Sequence, residues 1–250
     1  MNRDLIVGIH SIAEALKNPM RSNFELYLTD DALTDLRKEF GGNLKIDYQM
    51  YSPHKLQEEA KKEYASRDFK FSRVPSGAYL LCDEIQMGQM AELQQLLKKE
   101  STTRLLALDQ VTDVHNMAAI IRTASFYGFE AVIFSRKNFS GFPPSYFRIA
   151  SGGHESMPLY NVPSLSKAVT ALKNNNFLTI GFSEHSKITK IDDKPIRSCL
   201  VLGAEESGLS HAVMRSVDKC ISLVSQGSIK SLNVSVAAAV AMEKIFNVND

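Results

Sequence analysis

Apolar and polar positions change period along this chain. Short, nearly uninterrupted apolar runs at 105–108, 131–134, 178–182, 200–202 and 220–223 are too brief for helices and have the pattern of strands buried on both faces. Between and after them, apolar residues three and four apart predict helices over 117–127, 165–173, 210–216 and 234–246. Strands that alternate with helices predict a parallel α/β sheet covered on both faces, with ligands gathering at the strand C-termini.

The N-terminal third also alternates, with different punctuation. Ser11 and Glu14 form a capping-box pattern ahead of Ala15 and Leu16, and Pro19 ends that helix. A strand is expected over 24–28, a helix over 31–40 closed by Gly41-Gly42, a strand over 44–48, and a helix over 53–64 with Pro53 in its first turn. This is a small α/β domain. Between 91 and 104 the chain turns polar, with Lys98-Lys99-Glu100-Ser101-Thr102-Thr103 reading as a linker, so the expected domains are 1–97 and 98–250.

Composition narrows the class. At 250 residues and 44% apolar the chain has enough material for packed cores. The net charge of +1 argues against a nonspecific polyanion binder, so any affinity for a polyanion must come from local clusters. Cys82, Cys199 and Cys220 lie far apart, and the six histidines show no ligand spacing. Neither a disulfide framework nor a metal site is expected. The first residues lack a signal-peptide pattern and the longest apolar stretch, 234–242, is too short to span a bilayer, which makes a cytoplasmic protein without a membrane partner the expectation.

Candidate chemistry sits where three apolar runs enter small polar loops that open helices. The first junction carries Asn116-Met117-Ala118-Ala119-Ile120-Ile121-Arg122. The second is Leu202-Gly203-Ala204-Glu205-Glu206-Ser207-Gly208-Leu209. The third joins Ile221-Ser222-Leu223 to Ser231-Leu232-Asn233-Val234-Ser235. The second junction is no dinucleotide fingerprint, has Leu209 where a phosphate loop needs lysine, and gives Ser207 no nucleophile elbow. Taken singly, Gly203 and Gly208 read equally as turn glycines, Asn233 as a helix N-cap, and Arg122 as an arginine with a packed stem and an acid partner.

Together, and in this order, the three junctions resemble the signature motifs of the SpoU (TrmH-like) branch of the SPOUT methyltransferases over 104–246, and Ile6 through Leu16 resembles the start of that family's substrate-binding domain. The resemblance implies an RNA 2′-O-ribose methyltransferase that uses S-adenosyl-L-methionine. It also implies a C-terminal α/β domain with a deep trefoil knot, and a homodimer formed through that domain. On this resemblance Arg122, Asn116, Glu205, Ser231 and Asn233 are the catalytic set, and Leu202, Gly203, Gly208, Ile221, Leu223 and Leu232 surround the donor. A guanidinium with a pKa above about 12 serves more easily as a phosphate clamp than as a base, though the sequence leaves both roles open for Arg122. Ala118 stands where the family has glycine, and Val224-Ser225 where it has proline and an apolar residue.

The architecture is most similar to the members that act on 23S rRNA. A tRNA 2′-O-ribose methyltransferase and a noncatalytic RNA-binding or ribosome assembly factor are the alternatives. Lys61, Lys62, Arg67, Lys70 and Arg73, with Phe69 and Phe71, are candidate RNA contacts in the first domain, and Arg136, Lys137 and Arg148 in the second.

Overall fold

The computed structural model describes residues 3–137, 139, 141–182, 186, 196–205, 207–229 and 231–246. Its first half runs β1 (Arg3–Val7), α1 (Ile9–Lys17), β2 (Glu25–Leu28), α2 (Asp30–Phe40), β3 (Tyr48–Met50), α3 (Pro53–Ser66), β4 (Ala78–Asp83), α4 (Met90–Leu97), β5 (Arg104–Leu108) and α5 (Val114–Phe126). There follow β6 (Ala131–Phe134), α6 (Pro144–Ala150), α7 (Gly153–Ser156), β7 (Leu159–Asn161), α8 (Leu165–Asn174), β8 (Leu178–Phe182), β9 (Ser198–Leu202), α9 (His211–Met214), β10 (Lys219–Ile221) and α10 (Val234–Phe246). Two compact units result, Met1–Gln86 with Ser140–Glu155, and Met87–Phe139 with Ser156–Asp250. The division is discontinuous in sequence, whereas the sequence pattern suggests a single crossing at 97/98.

The first unit is a four-stranded sheet in the order β1-β4-β2-β3, with β4 antiparallel to both neighbours and β3 parallel to β2. Tyr79 and Leu81 of β4 point to one face, where α3 buries Leu56, Ala60 and Tyr64 against Leu5 and Val7. The segment after β6 belongs to this unit. Its α6 packs on β1, and the buried Ser11 hydroxyl donates to the Phe147 carbonyl at 2.6 Å. Ser11 is therefore not an N-cap: α1 begins at Ile9, and the hydroxyl satisfies a carbonyl of a distant segment. The fully buried Arg21 side chain lies between Asp4 at 2.5 Å and Glu155 at 2.7 Å, and also donates to the Asp83 carbonyl. Removing either carboxylate would leave the buried guanidinium with one acid in place of two.

The second unit holds six strands, all parallel, in the order β10-β8-β9-β5-β6-β7. From β5 the chain builds outward through β6 to β7, and β9 later inserts on the other side of β5. Strand order thus reverses at the β5/β9 pair, the place where an open α/β sheet leaves a crevice at its C-terminal edge. The strands at 131–134 and 178–182 and the helix at 234–246 lie where the periodicity places them. The linker expected between 91 and 104 is corrected: α4 buries Leu93 and Leu97 in the core of this sheet, along with Leu105, Ile133 and Val201. The spacing of Leu93, Leu96 and Leu97 is helical, and Glu92 accepts from the Gln89 backbone N–H at 3.0 Å to start the helix. The helix expected at 210–216 is one turn, capped by the Ser210 hydroxyl, and the strand expected at 220–223 ends at Ile221.

Candidate active site

All three junctions lie at the C-terminal edge of the parallel sheet. Leu108 pairs with Leu202 in the β5/β9 ladder, and the next residue, Asp109, continues it with its N–H on the Leu202 carbonyl at 2.8 Å. The Asp109 side chain is 5% exposed and accepts from the Ser210 N–H at 2.6 Å, tying the loop after β5 to the far end of the loop after β9. Sequence reasoning passed over Asp109. The available signal was an acid placed directly after a fully apolar strand at the sheet's binding edge.

Between those two ties the loop after β9 folds on itself. Ala204 and Gly208 exchange both backbone hydrogen bonds, at 3.1 and 2.9 Å, and Gly208 has φ of +64°. A Cβ on Gly203 would lie 2.1 Å from the Gly208 carbonyl carbon, so this position admits only glycine. The demand for Gly203 comes from the loop's own backbone. Glu205 is carried at the turn of this closed loop.

The side chain of Asn233 joins the three junctions. Its Nδ2 donates to Asn116 Oδ1 at 3.1 Å and to Glu205 Oε2 at 3.1 Å. Its Oδ1 accepts from the Ser235 N–H at 2.9 Å and the Ser235 hydroxyl at 2.6 Å, and its carbonyl receives the Ala237 N–H, which starts α10. The N-cap reading of Asn233 holds, and the same side chain also reaches the other two junctions. One amide uses its oxygen to begin a helix and its nitrogen to gather two other side chains. Asn116 is held in the first turn of α5, which Asp113 caps by accepting the His115 N–H at 2.7 Å.

Arg122 lies on the same helix, two turns in. It is exposed, and among the described residues it pairs with no acid, so the acid partner considered from sequence is not there. The buried side of α5 is Met117, Ala118, Ile120, Ile121 and Ala124; the helix packs on α10, and Arg122 lies on the exposed side. Ala118 is fully buried, so the methyl that replaces the family's glycine enters the core. Ser231 is exposed in the loop leading to Asn233.

The remaining candidate donor residues split by burial. Leu202 and Ile221 are buried at strand ends, whereas Leu223 is half-buried and Leu232 is 48% exposed. Among the described residues no backbone hydrogen bond engages the Leu223 or Leu232 amides. Free backbone donors beside part-exposed leucines form a polar-edged apolar surface, which suits a flat heteroaromatic group such as adenine. No cluster of His, Cys, Asp or Glu able to hold a metal occurs among the described residues. No helix there is long and apolar enough to cross a membrane.

Among the candidate RNA contacts of the first unit, Lys62 is paired with Glu59 at 2.8 Å and Arg67 with Glu63. Phe71 packs edge-on against Tyr64, and Phe69 lies against the same core, while Lys61, Lys70 and Arg73 are exposed.

A parallel α/β sheet with three loops converging at its switch point has the architecture of a ligand-binding α/β domain. Residues 103–243 match the model of the SpoU rRNA Methylase family, and the chain belongs to that family. It is 29% identical over 250 residues to the 23S rRNA (guanosine-2′-O-)-methyltransferase RlmB of Shewanella oneidensis, covering 96% of this chain and 95% of that one. With the enzyme of the same name from Acinetobacter baylyi it shares 35% identity over 160 residues, 60% of this chain and 62% of the relative. The fold is that of the SpoU methyltransferase AviRb from Streptomyces viridochromogenes, solved in complex with AdoMet. That match has a TM-score of 0.76 at 19% identity and covers 98% of this chain and 90% of the other.

Proposed function

We propose that this chain is an S-adenosylmethionine-dependent 2′-O-ribose methyltransferase acting on a guanosine of 23S rRNA. The carrying observation is the convergence of Asn116, Glu205 and Asn233 from three separate junctions onto one set of hydrogen bonds at the sheet's switch point. When bound, S-adenosylmethionine supplies the methyl group as an electrophilic carbon on a sulfonium. Leu202, Ile221, Leu223 and Leu232 are the residues that would hold its adenosine. Gly203 and Gly208 keep the second loop closed around that surface, which places Glu205.

In this reading Arg122 is the group that meets the RNA. Its fork of donors is free to clamp a phosphate beside the reacting ribose and to stabilise negative charge as the 2′-hydroxyl loses its proton. Asn116, Ser231 and Asn233 orient the ribose. Holding the hydroxyl in line with the methyl carbon accounts for most of the expected rate gain, since two bound reactants need no further encounter.

The alignment with the Shewanella relative, a 23S rRNA methyltransferase by name, runs through the N-terminal unit and supports rRNA over tRNA. We further propose a homodimer built on the C-terminal domain, because Phe126 of α5 and Val236 and Val240 of α10 are exposed on two helices that pack together. A monomer in sedimentation equilibrium would overturn that part. The enzymatic reading is tested by mass spectrometry of ribose-methylated nucleotides in 23S rRNA and tRNA, with and without the gene. Loss of a single 2′-O-methylguanosine from 23S rRNA is expected, restored by the purified protein with S-adenosylmethionine. Loss from tRNA alone, or no loss, would overturn it.

A further inference from the structure

Among the described residues, three arginines of the second unit stack on aromatic rings, and two of them have structural duties. Arg104 lies over Phe246 and donates to the Tyr127 carbonyl. Arg197 lies over Phe177 and donates to the carbonyls of Leu97, Lys99, Thr102 and Asn175. Arg136 is different. Its guanidinium sits 5.3 Å from the Phe139 ring, and among the described residues no carboxylate or carbonyl accepts from it.

Its backbone, in contrast, is fixed. The β6/β7 ladder ends at the Phe134–Asn161 pair, and beyond it the Asn161 side chain takes over the pairing. Asn161 Oδ1 accepts the Arg136 N–H at 2.9 Å, and its Nδ2 donates to the Arg136 carbonyl at 3.0 Å. A side-chain amide thus extends the sheet by one rung. This holds a cation with uncommitted donors just past the C-terminal end of β6, the strand beside β5, at the edge where Asp109 and Gly203 also lie.

We infer that Arg136, stacked on Phe139, is a further substrate-binding residue that takes a backbone phosphate of the RNA, and that Asn161 is the positioning residue that aims it. The inference rests on the RNA methyltransferase reading above. A guanidinium is suited to the task because its planar fork matches two phosphate oxygens, and ring stacking limits its rotamers before the RNA arrives.

The test uses the full-length protein and ribosomal RNA from cells lacking the gene. Arg136→Ala is expected to raise KM for RNA about tenfold, the effect of losing one charge-assisted hydrogen bond, and to raise it more than it lowers kcat. It should also make the slope of log affinity against log salt shallower by about 0.7 to 0.9, with donor affinity intact. Arg136→Lys should keep the salt slope and recover part of the KM. Asn161→Ala should raise KM in the same direction, and the double variant should be little worse than Arg136→Ala alone. An active Arg136→Ala enzyme with wild-type KM and salt slope would overturn the inference. Asn161→Ala with a lower Tm and an unchanged KM would overturn its positioning half. Failure of the wild-type protein to methylate any RNA would instead overturn the reading on which the inference rests.

Discussion

Arg122 and Gly203 stand in opposite situations within the proposed site. Arg122 is exposed and uncommitted, so Arg122→Ala should leave folding and donor affinity near wild type while lowering single-turnover methyl transfer by roughly 10² to 10⁴, the effect of losing a positioned catalytic group. Arg122→Lys should recover little, because an ammonium lacks the fork. If the residue acts as a clamp, the residual alanine rate should climb with pH as more ribose hydroxyl ionises. A wild-type rate in rapid-quench assays would remove it from the mechanism. Gly203 is committed entirely to its own loop. In Gly203→Ala the methyl would meet the Gly208 carbonyl carbon at 2.1 Å, so the paired hydrogen bonds between Ala204 and Gly208 must open. Overpacking of this kind costs about 1 to 3 kcal/mol, and titration calorimetry should show donor binding weakened at least tenfold with the sheet still folded. Unchanged donor affinity would separate loop closure from donor binding.

At the scale of elements, the segment of α6 and α7 has a titratable core of its own. His154 is buried beside Tyr146, with its Nδ1 3.0 Å from the phenol oxygen, and Phe142 stacks on Tyr146 at 3.8 Å. Burial pushes the imidazole pKa down from 6.5 to about 4, with Glu155 opposing and Arg21 assisting. The folded state therefore resists a proton that the unfolded chain accepts. Stability is complete above pH 6.5, falls as the pH drops toward 4, and is not reduced further by this group below that. The loss amounts to roughly 3 kcal/mol. Asp4 works in the opposite sense, since burial raises its pKa despite Arg21. Replacing the histidine isolates its share: in His154→Asn, denaturant melts between pH 7 and 4 should show a flatter acid limb than wild type. An identical limb would exclude His154 as its source.

For the molecule as a whole, the discontinuous first unit means that cutting the chain near residue 100 does not separate two complete units. A fragment of 87–250, which retains α4, keeps 141–155 but removes Ser11 and Arg21, leaving Phe147 and Glu155 without those partners. Replacing 141–155 by a short Gly/Ser linker in the same fragment should raise its Tm and soluble yield and preserve donor binding by calorimetry. Equal melting of the two fragments would contradict the assignment of this segment to the first unit. Division of labour, with RNA positioning in the N-terminal unit and chemistry in the other, remains our proposal. The linker-replaced fragment is the form in which to measure RNA affinity without the N-terminal unit.

Local periodicity by itself determined the runs at 131–134 and 178–182 and the helix at 234–246, because an apolar run or a 3.6-residue stripe needs no knowledge of its partner. The residues of the three junctions, taken in their order, carried the resemblance to the SpoU branch. Polar composition misled at 91–97, where three leucines at helical spacing outweigh the surrounding glutamines and lysines once a sheet is there to bury them. The capping-box pattern at Ser11 failed for a related reason, since a hydroxyl's partner may lie far away in sequence, here at Phe147. Asn233 reaches Asn116 across 117 positions, Asp109 reaches Ser210 across 101, and Asn161 holds Arg136 from a neighbouring strand. Such pairings follow from strand order and loop closure, which no local window contains. The sequence could therefore nominate the residues of the site, while the tertiary structure decided which of them meet.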